Sequence, residues 1–147
     1  LKNQHKTIAV LVDSLNIQPK SNTQLAENIL ENDGLLMAEN YPGISVLPQL
    51  FVKRDRIQTG LSTAVFAIET SKNGGTRHAI ERAITNDRLI FVPDYDKSGY
   101  SDTSIKQIEG LKHYSSIGAA EKYTKHSYEK LASNINDKYS ELINRHG

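Results

Sequence analysis

The chain has 147 residues, 37% hydrophobic and 24% charged, which suits one ordinary globular domain and excludes a disordered or fibrous protein. No apolar run approaches the roughly 20 residues that span a bilayer, and the absence of cysteine excludes a disulfide scaffold, thiol catalysis and cysteine-ligated zinc. A net charge of +1 excludes a uniformly basic nucleic-acid binder but allows a local basic face.

Residues 7–12 (TIAVLV) are a continuous apolar run, the pattern of a strand buried on both faces of a parallel sheet. A loop with Pro19 follows. Ser21 is the expected N-cap of a helix with Leu25, Ile29 and Leu30 on one face, stopping at Asp33 and Gly34. A second strand is expected over residues 35–38, then a loop over 40–48. Over 51–61 apolar residues (Phe51, Ile57, Leu61) alternate with Lys53, Arg54 and Arg56 at helical spacing.

A third strand is expected over 64–68, a glycine-containing turn over 71–75, and a helix over 76–85 with Ala79, Ile80, Ala83 and Ile84 inward. A fourth strand (89–92) ends at Pro93. A polar loop (94–102), a short helix (103–109) stopped by Gly110 and a short strand at His113 and Tyr114 follow. From Ile117 onward apolar positions recur about every 3.6 residues, predicting one long amphipathic helix or two joined near Asn134. Strands alternating with helices predict an α/β fold, a mostly parallel sheet flanked by helices with a C-terminal amphipathic helix.

In such a sheet, ligands bind beyond the carboxyl ends of the strands. Three segments qualify: Asp13 and Ser14, residues 69–76, and residues 94–99. The most informative is Lys72-Asn73-Gly74-Gly75-Thr76-Arg77. Its glycines let backbone approach an anion, and the next helix offers free N–H groups with a positive dipole end. The same pattern is equally that of a plain turn. Charge is unevenly spread: residues 21–52 hold four carboxylates and no Lys or Arg, a net −4, whereas residues 53–82 hold six basic and three acidic residues, a net +3. Arg54 and Arg56 cannot share one helix face, so one is expected to meet ligand while the other pairs with Asp55 or Glu39. The five histidines are scattered without metal-ligand spacing, and the carboxylates form no acid–base pair; no catalytic residue, metal or cofactor is expected.

Taken together, residues 5–15 (HKTIAVLVDSL), 32–43 (NDGLLMAENYPG), 51–69 (FVKRDRIQTGLSTAVFAIE), 72–83 (KNGGTRHAIERA) and 88–94 (RLIFVPD) resemble, in order and spacing, the DNA-processing protein A family (DprA/Smf). The resemblance runs from Lys6 to Ser115 and is most specific through Arg54, Arg56, Gly60, Leu61 and Ser62. It implies a Rossmann-like core over residues 1–115 and a helical extension over 116–147. It implies a cytoplasmic, dimeric, non-catalytic protein that binds single-stranded DNA and helps load a RecA-type recombinase in DNA uptake. It also implies phosphate contact at Lys53, Arg54, Arg56, Lys72, Gly74, Gly75, Thr76 and Arg77, where Gly74 to Thr76 occupy the family's Ser-Gly-Ser or Ser-Gly-Thr turn. The family's first strand–helix–strand unit, with its own glycine-rich loop, is expected upstream of Leu1, and a chain beginning at Leu1 without a signal-peptide pattern is expected to be a piece of something longer.

Two departures place anions near an expected polyanion: Asp13 in what is a glycine-rich turn in the family, and Asp55 between the arginines. One alternative is a nucleotide sensor or phosphoribohydrolase of the same superfamily. Its Pro-Gly-Gly-x-Gly-Thr pattern, with a glutamate two or three residues after the threonine, is not matched, because the first glutamate after Thr76 is Glu81. Another is a degenerate relative kept for protein contact through the helix from Ile117.

Overall fold

The computed structural model describes residues 5–95 and 105–145. The elements in chain order are β1 (Ile8–Leu11), α1 (Thr23–Glu31), β2 (Leu35–Ala38), α2 (Pro48–Leu61), β3 (Ala64–Phe66), α3 (Thr76–Thr85), β4 (Leu89–Pro93), α4 (Ile105–Ser116), β5 (Glu121–Tyr123) and α5 (Tyr128–Asn144). The chain divides within α2 into two compact units, Leu1–Gln58 and Thr59–Gly147. All described strand pairs are parallel: β1 with β2 in the first unit, and β3-β4-β5 in the second. The fold class is therefore α/β, as the strand–helix alternation predicts.

In the first unit the buried hydrophobic residues are Val10 in β1, Val12 just after it, and Ala26 and Ile29 of α1. The strand expected to be buried on both faces is not: Ile8 is 59% exposed. Ser21 does not cap α1, since Lys20–Asn22 form a 3-10 turn and the N-cap position falls on Asn22. At the other end Asp33, not Gly34, adopts the left-handed conformation (φ 56°). Gly34 is needed for a different reason: a Cβ there would lie 2.5 Å from Ile29 Cγ2 and 2.6 Å from the Thr7 carbonyl. The Leu35 N–H, one residue on, donates to that carbonyl at 2.9 Å and starts β2 beside β1.

The second unit repeats this connection. Asp87 is left-handed (φ 55°) after α3, and the Leu89 N–H donates to the Thr63 carbonyl at 3.2 Å to start β4 beside β3. The core here is Ala67, Ile80, Ala83, Ile90, Val92, Leu111, Tyr114 and Ala120, joining the sheet to α3 and α4. Strand β4, paired on both edges, is the one whose interior residues Ile90, Phe91 and Val92 are all buried. The Phe91 ring meets Phe66 at 5.0 Å between centroids.

Three expectations fail in this unit. His113 and Tyr114 lie in α4 rather than a strand, with Tyr114 packing beside Leu111 in the core. Gly110 does not stop that helix. It sits inside α4, where a Cβ would lie 2.7 Å from the Ser71 carbonyl oxygen and 2.7 Å from Thr70 Cγ2. Finally, the helix expected from Ile117 is interrupted. Gly118 takes φ +72°, as a residue just past a helix end does, and turns the chain so that β5 pairs with β4 before α5 begins. Helix α5 then runs unbroken past Asn134. It is tied to the α3–β4 turn by Asp87, whose Oδ2 accepts from Lys138 Nζ and Arg145 Nη1, each at 2.7 Å. Hydrogen bonds from these two cations hold the Asp87 carboxyl below its ordinary range and raise both cations above theirs. Most of the expected 94–102 loop and the first residues of the expected 103–109 helix lie outside the described residues.

Candidate nucleic-acid interface

The sequence-predicted residues fall into two groups, one in each unit. In the second unit the chain leaves β3 through buried Thr70 and turns back, the Gly74 N–H donating to the Ser71 carbonyl at 3.0 Å. A Cβ on Gly74 would stand 2.4 Å from Thr70 Oγ1, so packing inside the loop requires that glycine. Gly75 differs: its φ is −61° and a Cβ would meet nothing within 4 Å. The space beside it is open to an outside group.

Helix α3 begins at Thr76, and its first backbone bonds run from Arg77 to Gly74 (3.2 Å) and from His78 to Gly75 (3.0 Å). Among the described residues, the N–H groups of Gly75 and Thr76 are left without a backbone acceptor, and no side chain caps the helix. Free N–H groups and the positive end of a helix dipole favour an anion here. Lys72 is exposed on the same loop, and Arg77 reaches forward along α3, its Nε 3.2 Å from Glu81 Oε1. The loop is braced from α4, where the Gly110 N–H donates to the Thr70 carbonyl at 3.1 Å.

In the first unit α2 begins with Pro48, whose fixed φ and missing N–H suit a first helical position. Lys53 and Arg56, three residues apart, share a face and are exposed. Arg54 points elsewhere. Its side chain is 25% exposed, Nη2 lies 3.1 Å from Asp55 Oδ1, and the guanidinium carbon lies 5.6 Å from the centre of the Phe51 ring. Both arginines therefore pair, Arg54 with Asp55 and Arg56 with Glu39, where one pair was expected. The two pairs are unequal: the Arg56–Glu39 pair is exposed on both sides, and such pairs contribute only about 0–1 kcal/mol. Arg54 is anchored by packing as well as charge.

Asp13 corrects the expectation of a carboxylate facing phosphate. It is 2% exposed; Oδ1 accepts the Leu15 N–H at 2.9 Å and Oδ2 accepts the Gly43 N–H at 2.8 Å. Its charge is spent tying the loop after β1 to the loop after β2. The Leu15 N–H first, then those of Gly43 and Asn16, hold the carboxyl below its ordinary range against the upward pull of burial. A depressed carboxylate stabilises the fold in full above its ordinary value, and that contribution disappears as pH falls below it. Replacing Asp13 with Asn is therefore expected to lower stability at neutral pH and flatten the acid limb of thermal unfolding midpoint against pH. An unchanged acid limb overturns this assignment.

Sequence reasoning missed a groove in the second unit. Glu81, Glu109, His113 and Tyr114 join Lys72, Asn73 and Arg77 along a space of about 410 Å³ between α3 and α4. The signal was present in the i,i+4 spacing of Arg77 with Glu81 and of Glu109 with His113, but reading His113 and Tyr114 as a strand concealed the second pair. Among the described residues no group of three or more His, Asp or Glu side chains is placed to hold a metal ion.

Comparison with known proteins bears on the chain as a whole. The DNA recombination-mediator protein A family profile matches residues 1–138. The chain is 36% identical over 104 residues to the DNA processing protein DprA of Streptococcus pneumoniae, covering 69% of this chain and 36% of that relative. It is 34% identical over 86 residues to the protein Smf of Escherichia coli, covering 58% and 23%. It thus spans about a third or less of the curated relatives it matches. Among solved structures, S. pneumoniae DprA superposes with a TM-score of 0.70 at 28% identity, over 84% of this chain and 41% of that one. DNA processing protein A of Helicobacter pylori, studied for its single-stranded DNA binding mode, superposes with a TM-score of 0.71 over 92% and 57%; at 20% identity that likeness is one of fold.

Proposed function

Because the chain belongs to the DNA recombination-mediator protein A family, we propose that it holds single-stranded DNA through backbone phosphates and passes the strand to a RecA-type recombinase, acting as a cytoplasmic homodimer without catalysing a reaction. The observation that carries this reading is the start of α3, with free Gly75 and Thr76 N–H groups, open space beside Gly75 and exposed Lys72. Gly74 shapes that loop and Arg77 flanks it. Lys53 and Arg56 supply a second pair of phosphate contacts on α2. Arg54 serves the same helix mainly by packing on Phe51 and pairing with Asp55.

Binding of an oligonucleotide by the full-length protein is expected to fall steeply with salt, the logarithmic slope dropping by about 0.7 for each phosphate contact removed. Changing Lys53 and Arg56 together to Ala should lower the slope by about 1.4 and weaken all sequences alike. A full-length protein that binds no single strand at low ionic strength overturns the proposal. Adding the recombinase to the bound complex and following filament formation tests the hand-off, and sedimentation velocity tests the dimer.

A further inference from the structure

The groove between α3 and α4 holds more chemistry than phosphate contact requires. At about 410 Å³ it falls within the usual range of small-ligand sites, roughly 300–1,000 Å³. Half of its charged groups are already committed. Arg77 faces Glu81, and the Tyr114 hydroxyl donates to the same Glu81 carboxylate at 3.3 Å. Burial and the Glu81 charge raise the Tyr114 hydroxyl above its ordinary range, so it remains a donor.

Two charged groups remain. Lys72 stands on the loop at the start of α3, and Glu109 stands on α4; among the described residues neither forms an ion pair. The exposed His113 ring lies one helical turn beyond Glu109 on the same face, and the Asn73 amide lies beside Lys72. A cation, a carboxylate and a planar ring along one groove complement a ligand with an anionic group, a hydrogen-bond-donating amine and a flat face. A pure polyanion would gain nothing from Glu109.

We propose that this groove seats one nucleotide of the bound strand, with its phosphate at Lys72 and its base on the His113 ring, and that Glu109 accepts a hydrogen bond from the exocyclic amine of that base. Adenine, cytosine and guanine carry such an amine; thymine does not. The inference rests on the single-strand reading above and adds a base preference to it.

The test uses the full-length protein and oligonucleotides of thymidine in which a single cytidine or adenosine is introduced, followed by fluorescence anisotropy at fixed salt. The amine-bearing base is expected to tighten binding by about tenfold. Glu109→Gln should abolish the difference, and H113A should weaken every sequence alike. Both side chains are exposed, and circular dichroism melting confirms that the variants fold. Equal binding of all oligonucleotides by wild type and both variants overturns the groove assignment while leaving the single-strand reading intact. If no oligonucleotide binds, the single-strand reading falls and titration with dCMP and dTMP decides the groove: preference for dCMP sustains it, and equal or absent binding removes it.

Discussion

Replacing Phe91 with Ala is expected to lower stability by about 3–5 kcal/mol, the largest loss from any single substitution considered. The ring is fully buried on the central strand β4 and touches Phe66. Its removal leaves a cavity between neighbours that are held in parallel register on both sides: Phe66 is opposite Phe91 on β3, and Glu121 is opposite it on β5. Strands so fixed collapse poorly into a void, which places the cost toward the upper end for a large-to-small change. Urea unfolding should show a lower midpoint with an unchanged slope. A loss under 1 kcal/mol would mean that β4 is not the centre of this unit.

Gly110→Ala tests the bracing of the candidate phosphate loop. By propensity alone, alanine in a helix interior gains about 1 kcal/mol over glycine. Here the added Cβ would stand 2.7 Å from the Ser71 carbonyl oxygen and 2.9 Å from that of Thr70, and neither is the tip of a flexible side chain. Overpacking of this kind costs about 1–3 kcal/mol. Moving α4 away also stretches the Gly110 bond to the Thr70 carbonyl, a further loss of about 0.5–1.5 kcal/mol. The net expectation is a destabilisation of about 1–3 kcal/mol, with faster amide exchange confined to the loop and the facing turn of α4. A higher melting temperature would show that α4 does not press on the loop.

Local signals served well where one residue type had one use. Helix α3 has the bounds that its sequence predicts, because Gly75 precedes it, the run from Thr76 to Thr85 has a clear apolar face, and Asn86 with Asp87 turns the chain out of it. Gly110 misled because a glycine required by a close neighbour looks in sequence like one that stops a helix; the neighbour, the Thr70–Ser71 backbone, is some forty residues away. Ile117, Ala120 and Tyr123 fit a helical period, yet three residues apart is also compatible with a turn followed by a short strand, and Gly118 was the cue that decided it. At the candidate site, the loop from Lys72 to Arg77 could be read directly. The inward commitment of Asp13 could not, since its second partner, Gly43, lies 30 positions along the chain.

The twin connections at Asp33 and Asp87 have a kinetic consequence. Each parallel pair joins strands adjacent in sequence: Ile8 pairs with Leu35, Ala64 with Leu89, and Phe91 with Glu121. Among the described residues no strand waits for a partner from a remote part of the chain, so closing each crossover costs little more chain entropy than closing the next. Parallel sheets are slow to form when their pairings are distant; here each can nucleate within its own strand–helix–strand stretch. A left-handed aspartate followed closely by the first bond of the next strand makes the β1–β2 and β3–β4 crossovers short-range events, and folding rate should respond most to changes at those two turns.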